Sequence, residues 1–136
     1  MKQEKSKISV LMSVYKKENP EYLRASLESI LVQTRTADEI LLIEDGPLTQ
    51  ELYQVVAEYQ KKCDYLHVHA MEQNVQLGRA LAKGVELCQY DLIARMDTDD
   101  IAMPHRLEKE GAYMEAHPEV DVVGGAIREF NDEGTI

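Results

Sequence analysis

Residues 91–107 read DLIARMDTDDIAMPHRL: an apolar run, then three carboxylates within four positions, then a proline able to open a helix. The run Asp91–Met96 has the length and apolarity of a buried strand. Pro104 suits the first turn of a helix, where the N–H that proline lacks would be unpaired anyway, so a helix is expected from Pro104 to about Ala116. A strand that passes to a helix through a short polar loop is one unit of an alternating α/β fold.

The same alternation runs outward in both directions, without sequence repeats or low-complexity tracts. Upstream, ISVLMSVY (8–15) is β-rich, and Asn19-Pro20 reads as an N-cap followed by the first helical position. Leu23, Leu27, Ile30 and Leu31 then follow at helical spacing. EILLIEDG (39–46) is a second buried-type strand, Leu52, Val55, Val56 and Tyr59 mark a second helix, and LHVHA (66–70) is a third strand. A third helix, Leu77–Cys88, is expected to turn Leu77, Leu81, Val85 and Cys88 inward. Beyond the fourth helix, VDVVGGAI (120–127) reads as a fifth strand and NDEGTI (131–136) as a loop. Strands joined by helices imply right-handed crossovers and a mostly parallel, twisted, Rossmann-like sheet with helices on both faces, within one domain over residues 1–136.

Composition narrows the function. With 25 acidic residues against 15 basic and a formal charge of −10, the chain does not suit a nucleic-acid partner, which wants a basic stripe. A small phosphorylated ligand remains compatible if a metal or a few local cations are supplied. No run approaches the roughly 20 apolar residues of a membrane span, and MKQEKSK at the start lacks the apolar core of a secretory signal. Cys63 and Cys88 have neither CxxC nor Cys/His spacing, so reduced thiols in a cytoplasmic protein are expected. The first strand is not followed by the glycine-rich turn of a dinucleotide site.

In an open α/β sheet, ligands bind outside the carboxyl ends of the strands, where the strand order reverses. Polar residues fall at three such ends: Ser13, Tyr15 and Lys16 after strand 1, Glu44, Asp45 and Gly46 after strand 2, and Asp97 to Asp100 after strand 4. A strand order 3-2-1-4 would bring these loops to one crevice. For the acids themselves, an EF-hand fails because Ile101 and Ala102 stand where a ligand and the sharp-turn glycine are required. An aspartyl phosphatase or receiver domain fails for want of a carboxylate at Met12–Tyr15. Two readings stay open. One is a solvated loop whose aspartates cap the next helix; the other is a divalent-metal site for a diphosphate. In the second, Mg²⁺ or Mn²⁺ bridges carboxylate and phosphate oxygens that would otherwise repel, and strand alternation would send Asp97 and Asp99 the same way.

Four segments in this order, ISVLMSVYK, EILLIEDG, NVQLGRALAKGV and DLIARMDTDDIAMPHRL, resemble a family-2 glycosyltransferase of the GT-A, nucleotide-diphospho-sugar transferase fold, from about Ile8 to Ile127. The resemblance implies a UDP-sugar donor, a saccharide or lipid-linked saccharide acceptor, inversion at the transferred sugar, and bacterial-type surface polysaccharide assembly. It places base and ribose near Ser13, Val14 and Tyr15, uracil or ribose at Asp45, and ribose–phosphate at Asp97 and Thr98. Asp99, with Asp97, would hold the metal, and Arg79 would lie near the pyrophosphate.

Ser13, Lys16 and Glu44 depart from the family's usual proline, asparagine and aspartate, and Gln76 and Ala82 from its glycine and asparagine. Glycine at position 76 would permit positive φ without cost, so Gln76 bears on the path of that loop. Members of the family are longer, and their general base and acceptor pocket lie in a second half. The chain is therefore expected to be the donor-binding portion of a longer enzyme, inactive by itself, with its base beyond Ile136 and any peripheral membrane association made through regions outside it. A non-catalytic nucleotide-binding or protein-interaction domain is the competing reading, and the sequence does not speak to oligomeric state. His67 and His69 share a strand face judged remote from the crevice. His105 and Arg106 open the fourth helix beside the acids, Arg95 should point opposite to Met96, and Gly124-Gly125 either admits a sugar or ends a strand.

Overall fold

The computed structural model describes residues 6–119 and the backbone of 130–131 and 134–135. The expected strand at 120–127, with its glycine pair, lies outside the described residues. Its elements in chain order are β1 (Ile8–Val14), α1 (Pro20–Leu31), β2 (Glu39–Glu44), α2 (Gln50–Lys62) and β3 (Leu66–Ala70). There follow α3 (Leu77–Leu87), β4 (Leu92–Arg95), α4 (Arg106–Ala116), β5 (Phe130–Asn131) and β6 (Gly134–Thr135). The first four strands form one parallel sheet in the order β3-β2-β1-β4. The last two pair antiparallel, so Asn131, Gly134 and Thr135, expected in a loop, belong to short strands.

Alternation along each strand divides the core in two. Ile8, Val10, Met12 and Val14 of β1, with Ile40 and Leu42 of β2, face α1, α2 and Leu107 of α4. Leu11, Leu41 and Ile43 face the other way, toward α3. The helices therefore lie on both faces, three against one. Asn19 caps α1 as its sequence promised, its side chain accepting from Glu21 N at 2.8 Å, and Thr49 caps α2 through Leu52 N at 3.3 Å.

Two expectations are corrected. First, α3 packs through Ala80 and Gly84, with Leu81 and Cys88 at the margin, while Leu77 and Val85 are exposed. The reason is distance: α3 lies so close over β1 that a Cβ on Gly84 would come within 2.3 Å of Leu11 Cδ1 and 3.2 Å of its Cγ. Only the smallest side chains fit beneath the helix, and they carry no hydrophobic signal to read. Second, α4 starts at Arg106, with Pro104 and His105 in a preceding turn. The carbonyls of Met103 and Pro104 are engaged by the residues following α1, Gln33 Nε2 at 2.7 Å and Thr34 N at 2.9 Å, which ties that turn to the end of α1.

The close α3–β1 contact generates a stability test. In Gly84→Ala, overpacking costs about 1–3 kcal/mol, against at most about 1 kcal/mol regained from alanine's helix propensity. Urea unfolding should show a net loss of stability. Unchanged or increased stability would mean that α3 rides higher over Leu11 than described.

Candidate functional site

The register of the sheet decides where the acids go. Val14 of β1 stands opposite Glu44 at the end of β2, but Arg95 at the end of β4 stands opposite Leu11. The chain leaving β4 must therefore run alongside the last residues of β1. Met96 N donates to Leu11 O at 3.0 Å, and Thr98 Oγ1 lies 3.4 Å from Ser13 O and closer still to the Glu18 carboxylate. Thr98 is buried, whereas Asp97, Asp99 and Asp100 are exposed.

The acids sit on a turn, closed by Asp100 N donating to Asp97 O at 3.2 Å. Strand alternation is thus not what aligns Asp97 with Asp99; β4 has ended at Arg95, and the turn gathers all three acids. One carboxylate oxygen from each of Asp97, Asp99 and Asp100 lies within 4.8 Å of the others. Partial desolvation pushes the Asp100 carboxyl above the usual carboxylate range, and the charges of Asp97 and Asp99 push it further, with Arg106 opposing. Arg95 Nη2 stands 3.8 Å from Asp97 Oδ1, with its side chain pointing away from buried Met96. An all-carboxylate donor set of this kind suits a hard cation such as Mg²⁺ or Mn²⁺.

The second arm of the site is built from the end of β2. Asp45 N donates to Val14 O at 2.8 Å, which ties the two strand ends together. Asp45 itself is 4 % exposed, and its Oδ1 accepts from Val75 N at 2.7 Å. Asn74 Nδ2 donates to Asp45 O at 3.3 Å, and Gly46, at φ +88°, lets residue 74 approach. Any Cβ at position 46 would meet Asn74 N at 2.6 Å. The stretch 73–76 and Arg79, exposed in the first turn of α3, line an open groove of ≈ 360 Å³. Gln76 keeps the positive φ of a glycine position, at φ 74° and ψ 159°. That region is essentially reserved for glycine and costs a side chain on the order of 1–3 kcal/mol.

Most residues singled out from sequence therefore meet at the carboxyl ends of β2, β1 and β4, in the order Arg79, Asp45, Val14, Ser13, Thr98, Asp97, Asp99. Tyr15 is exposed directly after β1. Val14 and Thr98 are buried, with the Val14 carbonyl and the Thr98 hydroxyl turned to neighbouring chain. Glu44 is buried too, on the Leu42 side of the sheet, and burial pushes its carboxyl up. His67 and His69 lie on β3, at the sheet edge beyond β2. Sequence reasoning overlooked Glu18, which receives the Thr98 hydroxyl, and the buried polar residues Ser26, Ser29 and Gln33. The last three recur at helical spacing beside the apolar stripe of α1, the one signal that could have marked them.

Residues 9–136 match the family model described as "Glycosyl transferase family 2". The amylovoran biosynthesis glycosyltransferase AmsE of Erwinia amylovora is 47 % identical over 126 residues, covering 93 % of this chain and 47 % of the relative. The UDP-Gal:alpha-D-GlcNAc-diphosphoundecaprenol beta-1,3-galactosyltransferase of Escherichia coli is 34 % identical over 142 residues, covering 100 % and 50 %. The chain thus spans about half the length of the curated relatives it matches. Among solved structures, S. aureus TarS (residues 1–349) in complex with UDP superposes with a TM-score of 0.71 at 22 % identity, covering 93 % of this chain and 40 % of that one, a likeness of fold.

The two backbone positions of the second arm have opposite expectations. Gln76→Gly releases strain of about 1–3 kcal/mol at a cost of roughly 0.5–1 kcal/mol in unfolded-state entropy, so denaturant titration should show a gain. Gly46→Ala, strained in φ and crowded by Asn74, should lose more than about 1 kcal/mol. Equal effects of the same sign would contradict the backbone described for these loops.

Proposed function

The chain belongs to glycosyl transferase family 2, and on that premise we propose that it is the donor-binding portion of an inverting glycosyltransferase that takes a UDP-sugar and a divalent metal. The observation that carries the proposal is the acidic turn, whose three carboxylates converge beside the ends of β1 and β2. The donor class is supported by the UDP bound to TarS and by the UDP-Gal named for the E. coli relative. The names of AmsE and of that relative support a role in polysaccharide biosynthesis, on a saccharide or lipid-linked saccharide acceptor; a surface polysaccharide, made at the cytoplasmic side of the membrane, is part of the proposal.

In this reading Tyr15 offers an exposed ring beside β1 for the uracil. Asp45 acts chiefly by fixing the 73–76 loop against the strand ends, and Arg79 supplies positive charge at the mouth of its groove. Asp99 and Asp97 hold the cation, with Asp100 as the third carboxylate of the set. Mg²⁺ or Mn²⁺ there supplies Lewis-acid stabilisation of the charge that develops on the departing diphosphate. Without a cation these carboxylates would repel the donor, by roughly 1 kcal/mol for each charge pair at 4 Å in water and by more in a closed site. The base that takes the proton of the acceptor hydroxyl comes, we propose, from the half of the relatives' length that this chain does not span.

Calorimetric titration of UDP into the full-length protein tests the reading. Mn²⁺ should strengthen binding, and Asp99→Ala should remove most of that gain, on the order of tenfold or more. UDP binding indifferent to both would remove the metal from the proposal. No UDP binding in either condition would favour an interaction module instead.

A further inference from the structure

The acidic turn repels itself, and the two cations beside it, Arg95 and Arg106, are on its flank, Arg106 Nη2 donating to Arg95 O at 2.8 Å. Arg95 lies 3.8 Å from Asp97, with both side chains about half exposed, 59 % and 49 %. Within the turn the Thr98 hydroxyl is held by Glu18 and Ser13 O, and the main chain around it is held by three neutral side chains of α1 and the residues just after it. Ser26 Oγ donates to Asp97 O at 3.2 Å, and Ser29 Oγ accepts from Ala102 N at 3.0 Å. Gln33 Nε2 donates to Met103 O at 2.7 Å, while Gln33 Oε1 accepts from Leu107 N at 3.0 Å. The last bond gives α4 its N-terminal cap from a distance, because His105, in the cap position, makes no such bond with its own side chain. The three are also joined to one another through main-chain carbonyls, Ser29 Oγ to Ser26 O at 2.7 Å and Gln33 Nε2 to Ser29 O at 3.1 Å.

Burial makes this arrangement rigid. Ser26, Ser29 and Gln33 are 0, 7 and 7 % exposed, so a bond lost here is not readily replaced by water. Apolar contacts of Ala102 and Leu107 with the core would keep the segment close but would leave its register free to slide. The hydrogen bonds fix it on both sides of the acids, at 97 and at 102, 103 and 107. Because the clamp is neutral and grips only main chain, it leaves all three carboxylates their charge for a ligand.

We propose that Ser26, Ser29 and Gln33 are positioning residues, setting the spacing of Asp97, Asp99 and Asp100 for the cation and the donor diphosphate. The inference rests on the donor-site reading above and extends it to residues that touch neither ligand.

The test uses Ser29→Ala and Gln33→Leu in the full-length protein, with Ser29→Thr as the conservative rescue and Ile30→Val as a core change on the same helix. UDP affinity is measured calorimetrically with and without Mn²⁺. The first two variants should lose about tenfold of the Mn²⁺-dependent affinity, the scale found for residues that orient metal ligands. Metal-free UDP binding should change less than about twofold, Ser29→Thr should recover the loss, and Ile30→Val should cause none. Loss of both kinds of binding together, or an equal loss in Ile30→Val, would reduce the clamp to general stability and overturn the proposal. Amide hydrogen exchange without metal gives an independent reading: Gln33→Leu should deprotect residues 98–107 selectively by about tenfold or more. Protection unchanged from wild type would also overturn it. If wild-type UDP binding ignores Mn²⁺, the donor-site reading is what has failed, and the exchange result alone decides whether the clamp holds the turn.

Discussion

Three carboxylates within one turn push each other apart, and the β4 side of the site is arranged around containing that repulsion. Pairing the acids with lysine or arginine would contain it at the expense of the charge that makes them useful. The fold instead restrains the polypeptide from behind. Parallel pairing of β1 with both β2 and β4 fixes where the turn begins, and the register lets β4 end opposite Leu11, so that the turn falls beside the last residues of β1. The neutral side chains of α1 then fix where the segment goes next. The acids are left exposed, and among the described residues Arg95 alone forms an ion pair with one of them, 3.8 Å from Asp97.

Being central explains why β1 tolerates so little polarity. Five of its seven residues are buried apolar side chains, divided between the α1–α2 layer and α3, and its one fully buried polar side chain, Ser9, donates to Glu39 Oε1 at 2.8 Å. Glu39 also accepts from Gln89 N at 3.0 Å, so a buried acid secures the chain just after α3. This mirrors the acidic turn in a closed setting.

The sequence was legible where a residue type is tied to one local conformation. Asn19 before Pro20, the apolar stripes of α1 and α2 and the β-rich runs bounded by charge each have few alternative structures, and together they mark the elements; the strand order that brings the loops to one crevice is a supposition that the sheet bears out. Legibility failed where function depends on closeness rather than on residue type. Ala80 and Gly84 give little hydrophobic signal, and the larger Leu77 and Val85 point a pattern-based reading of α3 to the wrong face. The clamp was hidden for a similar reason: Ser26, Ser29 and Gln33 look like the solvated margin of a helix until a segment some 70 residues later is laid across them. The pairing at Phe130–Thr135 was likewise beyond a pattern two residues long.

The two arms of the site differ in how they are kept in place, and the difference bears on what each can recognise. The β4 arm is restrained through buried bonds to a helix, and its own side chains are free to meet a cation. The β2 arm uses its carboxylate internally, on Val75 N, and accepts backbone strain at Gln76 in return for a loop that folds back on Gly46. A loop so held presents main-chain groups and the flanking Arg79 at its groove. In the proposed donor site, discrimination among nucleotides on this side would depend on the path of residues 73–76, and so on Gly46 and Gln76.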